Sequence, residues 1–214
     1  MVGKVLIVLN GGRLSKRTLA LWIASADHVI AADGGANALA DADLQPNTVL
    51  GDFDSIRPGL ETFFEDAKFL PDPSQNSTDF QKSIRFAVES LGATKVAIIG
   101  AEGDRVDHLL STFGTAAHFA KIASIRFVLE TMICYVVAGD FHFSVSPGKT
   151  VSLIPLPKAT VTATGVEYPV ENLTLSFGDN DGVSNRAATE IIDLKVHDGT
   201  LAVFVETDAG VVDW

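Results

Sequence analysis

Cysteine occurs once in the 214 residues, at Cys134 inside the apolar run MICYVVAG. A disulfide framework within the chain is thereby excluded, and a small buried hydrophobe is the natural reading of that thiol. Basic residues are also scarce, 16 Lys and Arg against 27 Asp and Glu, for a formal charge of −11. A general nucleic-acid binder would want a basic face, so that class is excluded. No apolar run approaches the roughly 20 residues of a membrane-spanning helix. The opening MVGKVLIVLNGG has one lysine and a short apolar run that stops at Asn-Gly-Gly. It reads as a first strand and is too short for a signal peptide, so the expected location is the cytoplasm. Two common phosphate-handling fingerprints are missing, G-x-x-x-x-G-K-[ST] and a strand followed by G-x-G-x-x-G. The string GDFDS has no H-R-D loop to accompany it, which separates it from the protein kinases. His28, His118, His142 and His197 show none of the paired spacing of zinc ligands.

What is present is a globular composition, 47% hydrophobic and 20% charged. The first two thirds alternate strand-like and helix-like patterns. KVLIVLN (4–10), HVIAAD (28–33), TVLGD (48–52) and KVAIIG (95–100) are continuous apolar runs of the kind buried on both faces of a parallel sheet. Between them, helical spacing is predicted from about Ser15 to Ser25, after Pro58, from Ser77 or Thr78 to Leu91, and over 106–120. Gly92 ends the third of these. After about residue 124 the segments become short and rich in Val, Thr and Phe, with turn residues between them. LKVHDGTLAVFV reads as a hairpin with Asp198-Gly199 at its tip. The expected architecture is an α/β domain with a mostly parallel sheet and flanking helices over 1–130, followed by a small all-β sandwich over 131–214.

In such a sheet, ligands bind outside the carboxyl ends of the strands. Four predicted loops place polar residues there: Asp33-Gly34-Gly35, Gly51 to Ser55, Gln75 to Asp79, and Gly100 to His108. If 50–54 is extended, Asp52 and Asp54 point to one side and Phe53 to the core. An isolated D-x-D has two readings, a solvated polar turn or the seat of a hard cation such as Mg²⁺, which takes carboxylates and phosphate oxygens together. GAEGDRVDH likewise has two. It is either an ordinary helix start or an anion site with Arg105 as donor and Asp107 near the acidic pair.

Read in order, ADGGANAL (32–39), LGDFDSI (50–56), STDFQKSI (77–84), GDRVDHLL (103–110) and GVEYPVENLTLSFGDNDGVSNRA (165–187) resemble the thiamine pyrophosphokinase family. The resemblance implies an enzyme that moves the diphosphoryl group of ATP to the hydroxyl of thiamine with Mg²⁺, working as a homodimer with active sites between subunits. It implies catalytic roles for Asp52, Asp54, Asp79, Arg105 and Asp107, the four carboxylates also serving the metal. Asp33, Gly34, Gly35, Arg105 and His108 would lie near the nucleotide. Gln75, Asp79, Tyr168, Ser184 and Asn185 would lie near thiamine. The chain departs from the family pattern at Asn76, where Asp is common, at Asp104, where Gly is usual, and at Tyr168, where Trp often stands. Two other classes compete: a non-catalytic thiamine- or nucleotide-binding protein of the same fold, and another Mg²⁺-dependent D-x-D enzyme transferring phosphoryl or glycosyl groups.

Overall fold

The computed structural model describes all residues except Met1, Arg13, Leu14, Asp104, 208–211 and Asp213. The departure at Asp104 therefore lies outside the described residues. The chain divides into two compact units. The first comprises Met1–Thr112, Phe127–Glu130 and Gly210–Trp214, the second Phe113–Arg126 and Thr131–Ala209.

The apolar runs become the parallel strands of the first unit: β1 (Lys4–Val8), β2 (His28–Ala32), β3 (Thr48–Gly51), β4 (Lys68–Pro71) and β5 (Lys95–Ile99). They lie in the order β5-β1-β2-β3-β4, all pairs parallel. In β1, β2 and β5 every residue after the first is buried, which is why these runs do not alternate with polar residues. The crossovers carry α1 (Lys16–Ser25), α2 (Gly35–Asp41), α3 (Leu60–Phe63) and α4 (Asp79–Arg85); α5 (Val106–Phe119) follows β5. Thr78 caps α4 reciprocally. Its hydroxyl accepts the Gln81 N–H (3.2 Å) and its own N–H donates to Gln81 Oε1 (2.9 Å). The helix predicted to run unbroken to Leu91 instead widens into a π-helical turn at Phe86–Ser90, in which Ala87 and Val88 remain buried.

Leu6, Val8, Trp22, Leu39 and Phe64 form the core of this unit, and Trp214 packs against it. The Trp214 ring meets Trp22 edge-on at 5.3 Å, and its Nε1 donates to Ser25 Oγ at 2.7 Å. Its carbonyl accepts from Lys95 Nζ at 3.0 Å. Trp214→Ala is expected to lower the melting temperature of this unit by roughly 2–6 °C. It should also alter the emission of Trp22, the only other tryptophan. Calorimetry and fluorescence check both.

The second unit is antiparallel and sandwich-like. Its frame is two long strands, β9 (Thr150–Thr164) and β12 (Ile191–Glu206). The first part of β12 pairs with β8 (Asp140–Ser144) and with β9 residues 159–164, and β10 (Val170–Ser176) adds to that part of β9. Its last part pairs with β7 (Met132–Val137) and with β9 residues 151–155, beside β11 (Gly182–Arg186). The hairpin predicted at Asp198-Gly199 is corrected here. β12 runs straight through that dipeptide, and the register with β9 shifts on either side of it. Gly199 takes φ +83°, and a side chain there would strike Lys158 O at 2.0 Å, so the strand bends by a bulge instead of reversing. The core between the layers includes Leu153, Val161, Ile192, Leu201 and Val203. β6 (Ser124–Val128) precedes β7.

Glu206 closes β12 by accepting the Thr150 N–H (3.1 Å) and the Lys149 ammonium (3.1 Å), which draw its carboxyl down to about 2. These bonds favour the charged form, so their contribution is complete above the ordinary Glu range and lost as pH falls towards 2. Glu206→Gln is expected to be less stable than the parent at pH 6, with the gap closing between about pH 4.5 and 2 in acid unfolding curves. Among the described residues no helix is long and apolar enough to cross a membrane.

Candidate active site

Parallel strands place their carboxyl ends, and the loops that leave them, along one edge of the sheet. A cleft of about 1090 Å³ opens there within the first unit. Five loops line it, not the four predicted. The fifth is Leu9 to Gly12, after β1, and its signal is the Asn-Gly-Gly that stops the first apolar run. It is tied to the loop after β5 by a hydrogen bond from Gly11 N to Gly100 O (2.9 Å).

The extended reading of 50–54 is corrected. β3 ends at Gly51, and Phe53 takes the left-handed conformation (φ +66°), so the chain turns between the two carboxylates. Phe53 packs on Phe69 at 5.8 Å between ring centroids, and this partly buried ring, packed against the core of the unit, helps to hold the turn. Asp52 Oδ1 accepts the Asp54 N–H (3.3 Å), Asp52 Oδ2 accepts from Gln75 Nε2 (2.8 Å), and Ser55 Oγ donates to Asp54 Oδ1 (2.8 Å). The Gln75 bond, then the Asp54 amide, hold the Asp52 carboxyl below its ordinary value. Two residues that sequence reasoning missed tie the turn to α2, Asn37 on that helix and Arg57 just beyond the turn. Asn37 Nδ2 donates to Ser55 O (2.8 Å), and Arg57 reaches Asn37 O (2.9 Å) and Asp41 (2.7 Å).

Asp33 completes the cluster. Ligand oxygens of Asp33, Asp52 and Asp54 all lie within 4.8 Å of one another. Asp33 is only 4% exposed and sits at φ +43°, and Gly51 approaches so closely that a Cβ there would lie 2.7 Å from that of Asp33. Among the described residues nothing hydrogen-bonds its Oδ1. Burial raises its carboxyl above the ordinary Asp value, outweighing the pull of the Ser55 hydroxyl and the Gly34 N–H. A buried carboxylate oxygen without a donor, beside two further carboxylates, is a hard-oxygen set suited to a divalent cation.

The other predicted acidic residues have their own partners. Asp79 lines the cleft and pairs with the buried Lys82 at 3.2 Å, a residue sequence reasoning missed. Arg105 grips Asp107 with two bonds, Nε to Oδ1 (2.9 Å) and Nη2 to Oδ2 (2.6 Å). That grip holds the Asp107 carboxyl well below the usual range and pushes the guanidinium up. Arg105 and His108 line the cleft, and both are exposed. Gly34 lines it as well. Gly35 lies behind, against Val8 O, where a Cβ would stand 2.0 Å away, so its role is to seat α2 on β1. Asn76 lines the cleft without a charge.

In the second unit, Tyr168 and Ser184 are exposed and Ser184 adopts φ +62°. Asn185 is buried, and its amide is occupied by backbone. It accepts from Tyr168 N (3.1 Å) and Arg186 N (2.8 Å) and donates to Tyr168 O (2.8 Å). Its geometry is that of a brace for the Tyr168 loop.

Fold and cleft together define a class of two-part protein: an α/β unit with carboxylates gathered at the carboxyl edge of a parallel sheet, and an antiparallel β unit after it. Comparison with known proteins gives the family. Residues 19–129 match the family model for the thiamin pyrophosphokinase catalytic domain, and residues 140–212 match that for its vitamin B1 binding domain. Thiamin pyrophosphokinase 1 of Caenorhabditis elegans is 30% identical over 208 residues, covering 89% of this chain and 84% of the relative. The crystal structure of thiamin pyrophosphokinase from Geobacillus thermodenitrificans superposes with a TM-score of 0.80 at 25% identity, covering 98% of this chain and 100% of the other. Thiamin pyrophosphokinase from Candida albicans has the same fold, with a TM-score of 0.83 at 19% identity, 96% of this chain and 90% of the other being covered. The chain belongs to the thiamin pyrophosphokinase family, a family of enzymes.

Proposed function

We propose that this chain transfers the diphosphoryl group of ATP to the hydroxyl of thiamine, giving thiamine diphosphate and AMP. The observation that carries the reading is the convergence of Asp33, Asp52 and Asp54 around a buried oxygen without a donor, in a member of this family. In this reading those three carboxylates hold Mg²⁺, which when bound supplies positive charge to the phosphate oxygens. The thiamine oxygen attacks the β-phosphorus, the bond from that phosphorus to the α-phosphate bridging oxygen breaks, and AMP leaves with that oxygen. Arg105 exchanges the exposed Asp107 for a phosphate, so Asp107 parks the guanidinium beside the cleft. Asp107, held far below the ordinary carboxylate range, is a poor proton acceptor. Asp79 is the better candidate to orient and accept the hydroxyl proton. Gly34 and His108 flank the nucleotide. Tyr168 and Ser184 contact thiamine, with Asn185 behind them as brace. The proposal extends to a division of labour between residues 1–130 and 131–214, to a homodimer, and to a cytoplasmic location.

The test is incubation of the pure protein with ATP, Mg²⁺ and thiamine, with the products separated by chromatography. AMP and thiamine diphosphate in equal amounts are expected. ADP with thiamine monophosphate would overturn diphosphoryl transfer, and substrate binding without turnover would favour a binding protein.

A further inference from the structure

We propose that Lys82 is a positioning residue for this site and acts through Asp79; the inference rests on the diphosphoryl-transfer reading above. Lys82 is the one buried lysine among the described residues, with its side chain 3% exposed. An enclosed ammonium is costly unless it is paired and hydrogen-bonded. Lys82 Nζ donates to the carbonyl of Asp72 (2.8 Å) and to Asp79 Oδ1 (3.2 Å). Asp72 in turn donates its N–H to Gly51 O (2.7 Å). One buried charge thus joins the ends of β3 and β4 to the first turn of α4.

An Asp and a Lys three residues apart on an exposed helix face contribute little, because both side chains move in water. This pair differs because Phe80, Ser83 and Ile84 are buried on the same stretch of α4, and the lysine cannot leave. Asp79, 34% exposed at the cleft, is held by one oxygen from within while the rest of its carboxylate remains available. Lys82 therefore fixes where the Asp79 charge sits on the cleft wall.

A double-mutant cycle tests this with Lys82→Met, Asp79→Asn and the pair, measuring kcat, KM for thiamine and melting temperature for all four proteins. Lys82→Met is expected to lower kcat by about tenfold or more while KM for thiamine moves less than about threefold. The double variant should be no slower than Asp79→Asn alone, within about twofold, because the lysine has nothing left to position. If Lys82→Met does not fold, Lys82→Gln, which keeps an N–H donor, takes its place. Losses that multiply in the double variant would overturn the inference, as would wild-type kcat in the lysine variant. A wild-type protein that makes no thiamine diphosphate would overturn the underlying reading, and this inference with it.

Discussion

An Asp54→Ala protein is expected to lose Mg²⁺-dependent turnover by on the order of 10²–10³-fold while keeping its fold. The two halves of that expectation come from the same geometry. Asp54 is exposed, and among the described residues its carboxylate has one hydrogen-bond partner, the neighbouring Ser55 hydroxyl. Removing it leaves no buried group unpaired, so the melting temperature should move by no more than about 2 °C. The chemical loss is large because Asp54 is one of the three carboxylates whose oxygens lie within 4.8 Å of one another. Removing one of three charges weakens the hold on a divalent cation wherever that cation is needed. Rates across a Mg²⁺ titration, with calorimetry on the same sample, separate the two effects. Unchanged turnover would remove Asp54 from the cation site.

Asp33→Asn is expected to be inactive and yet more stable than the parent in the absence of divalent cations, by roughly 2–6 °C. A buried carboxylate with an unpartnered oxygen opposes folding when it is charged. Asparagine removes the charge, keeps the shape, and tolerates the left-handed backbone found at this position. Because burial raises the folded-state pKa of Asp33, the penalty is fully present above that raised value and disappears as pH falls towards the ordinary Asp range. The melting-temperature gap between variant and parent should therefore be widest at neutral pH and close on acidification. Adding Mg²⁺ should raise the melting temperature of the parent and leave that of Asp33→Asn unchanged. A destabilised Asp33→Asn protein in chelator would show that the Ser55 hydroxyl and the Gly34 N–H stabilise the Asp33 carboxylate by more than burial costs it.

Several elements are legible in the sequence because their signals are local. The runs from Lys4, His28, Thr48 and Lys95 read as strands buried on both faces, and Ser77 or Thr78 with Asp79 reads as a helix start, which the structure places at Thr78. Asp198-Gly199 misleads because Asp-Gly suits both a tight reversal and a bulge. What decides between them is whether a neighbouring strand continues on both sides, and β9 does. Alternation misleads at Asp52 and Asp54 because the period-two rule holds only while the chain is extended, and Phe53 ends that extension and packs its ring on Phe69. Lys82 carries no signal of its own because an Asp-x-x-Lys spacing is ordinary on a helix surface. Nothing in the spacing says that this surface faces inward.

Sequence alone determined four of the parallel strands of the first unit, the all-β character of the second and four of the cleft's loops, since each follows from residues within one turn or one strand of each other; the family followed from five such local strings in their order. The tertiary structure decided which acidic residues form a cluster, because Asp33 comes to Asp52 and Asp54 only when β2 and β3 lie side by side. It also decided that Asp33 is buried with an orphaned oxygen, that Asp107 belongs to Arg105, and that Lys82 stands behind Asp79. Burial depends on the packing of residues distant in the chain, and although both charge pairs are local in sequence, no spacing says which partner each charge takes.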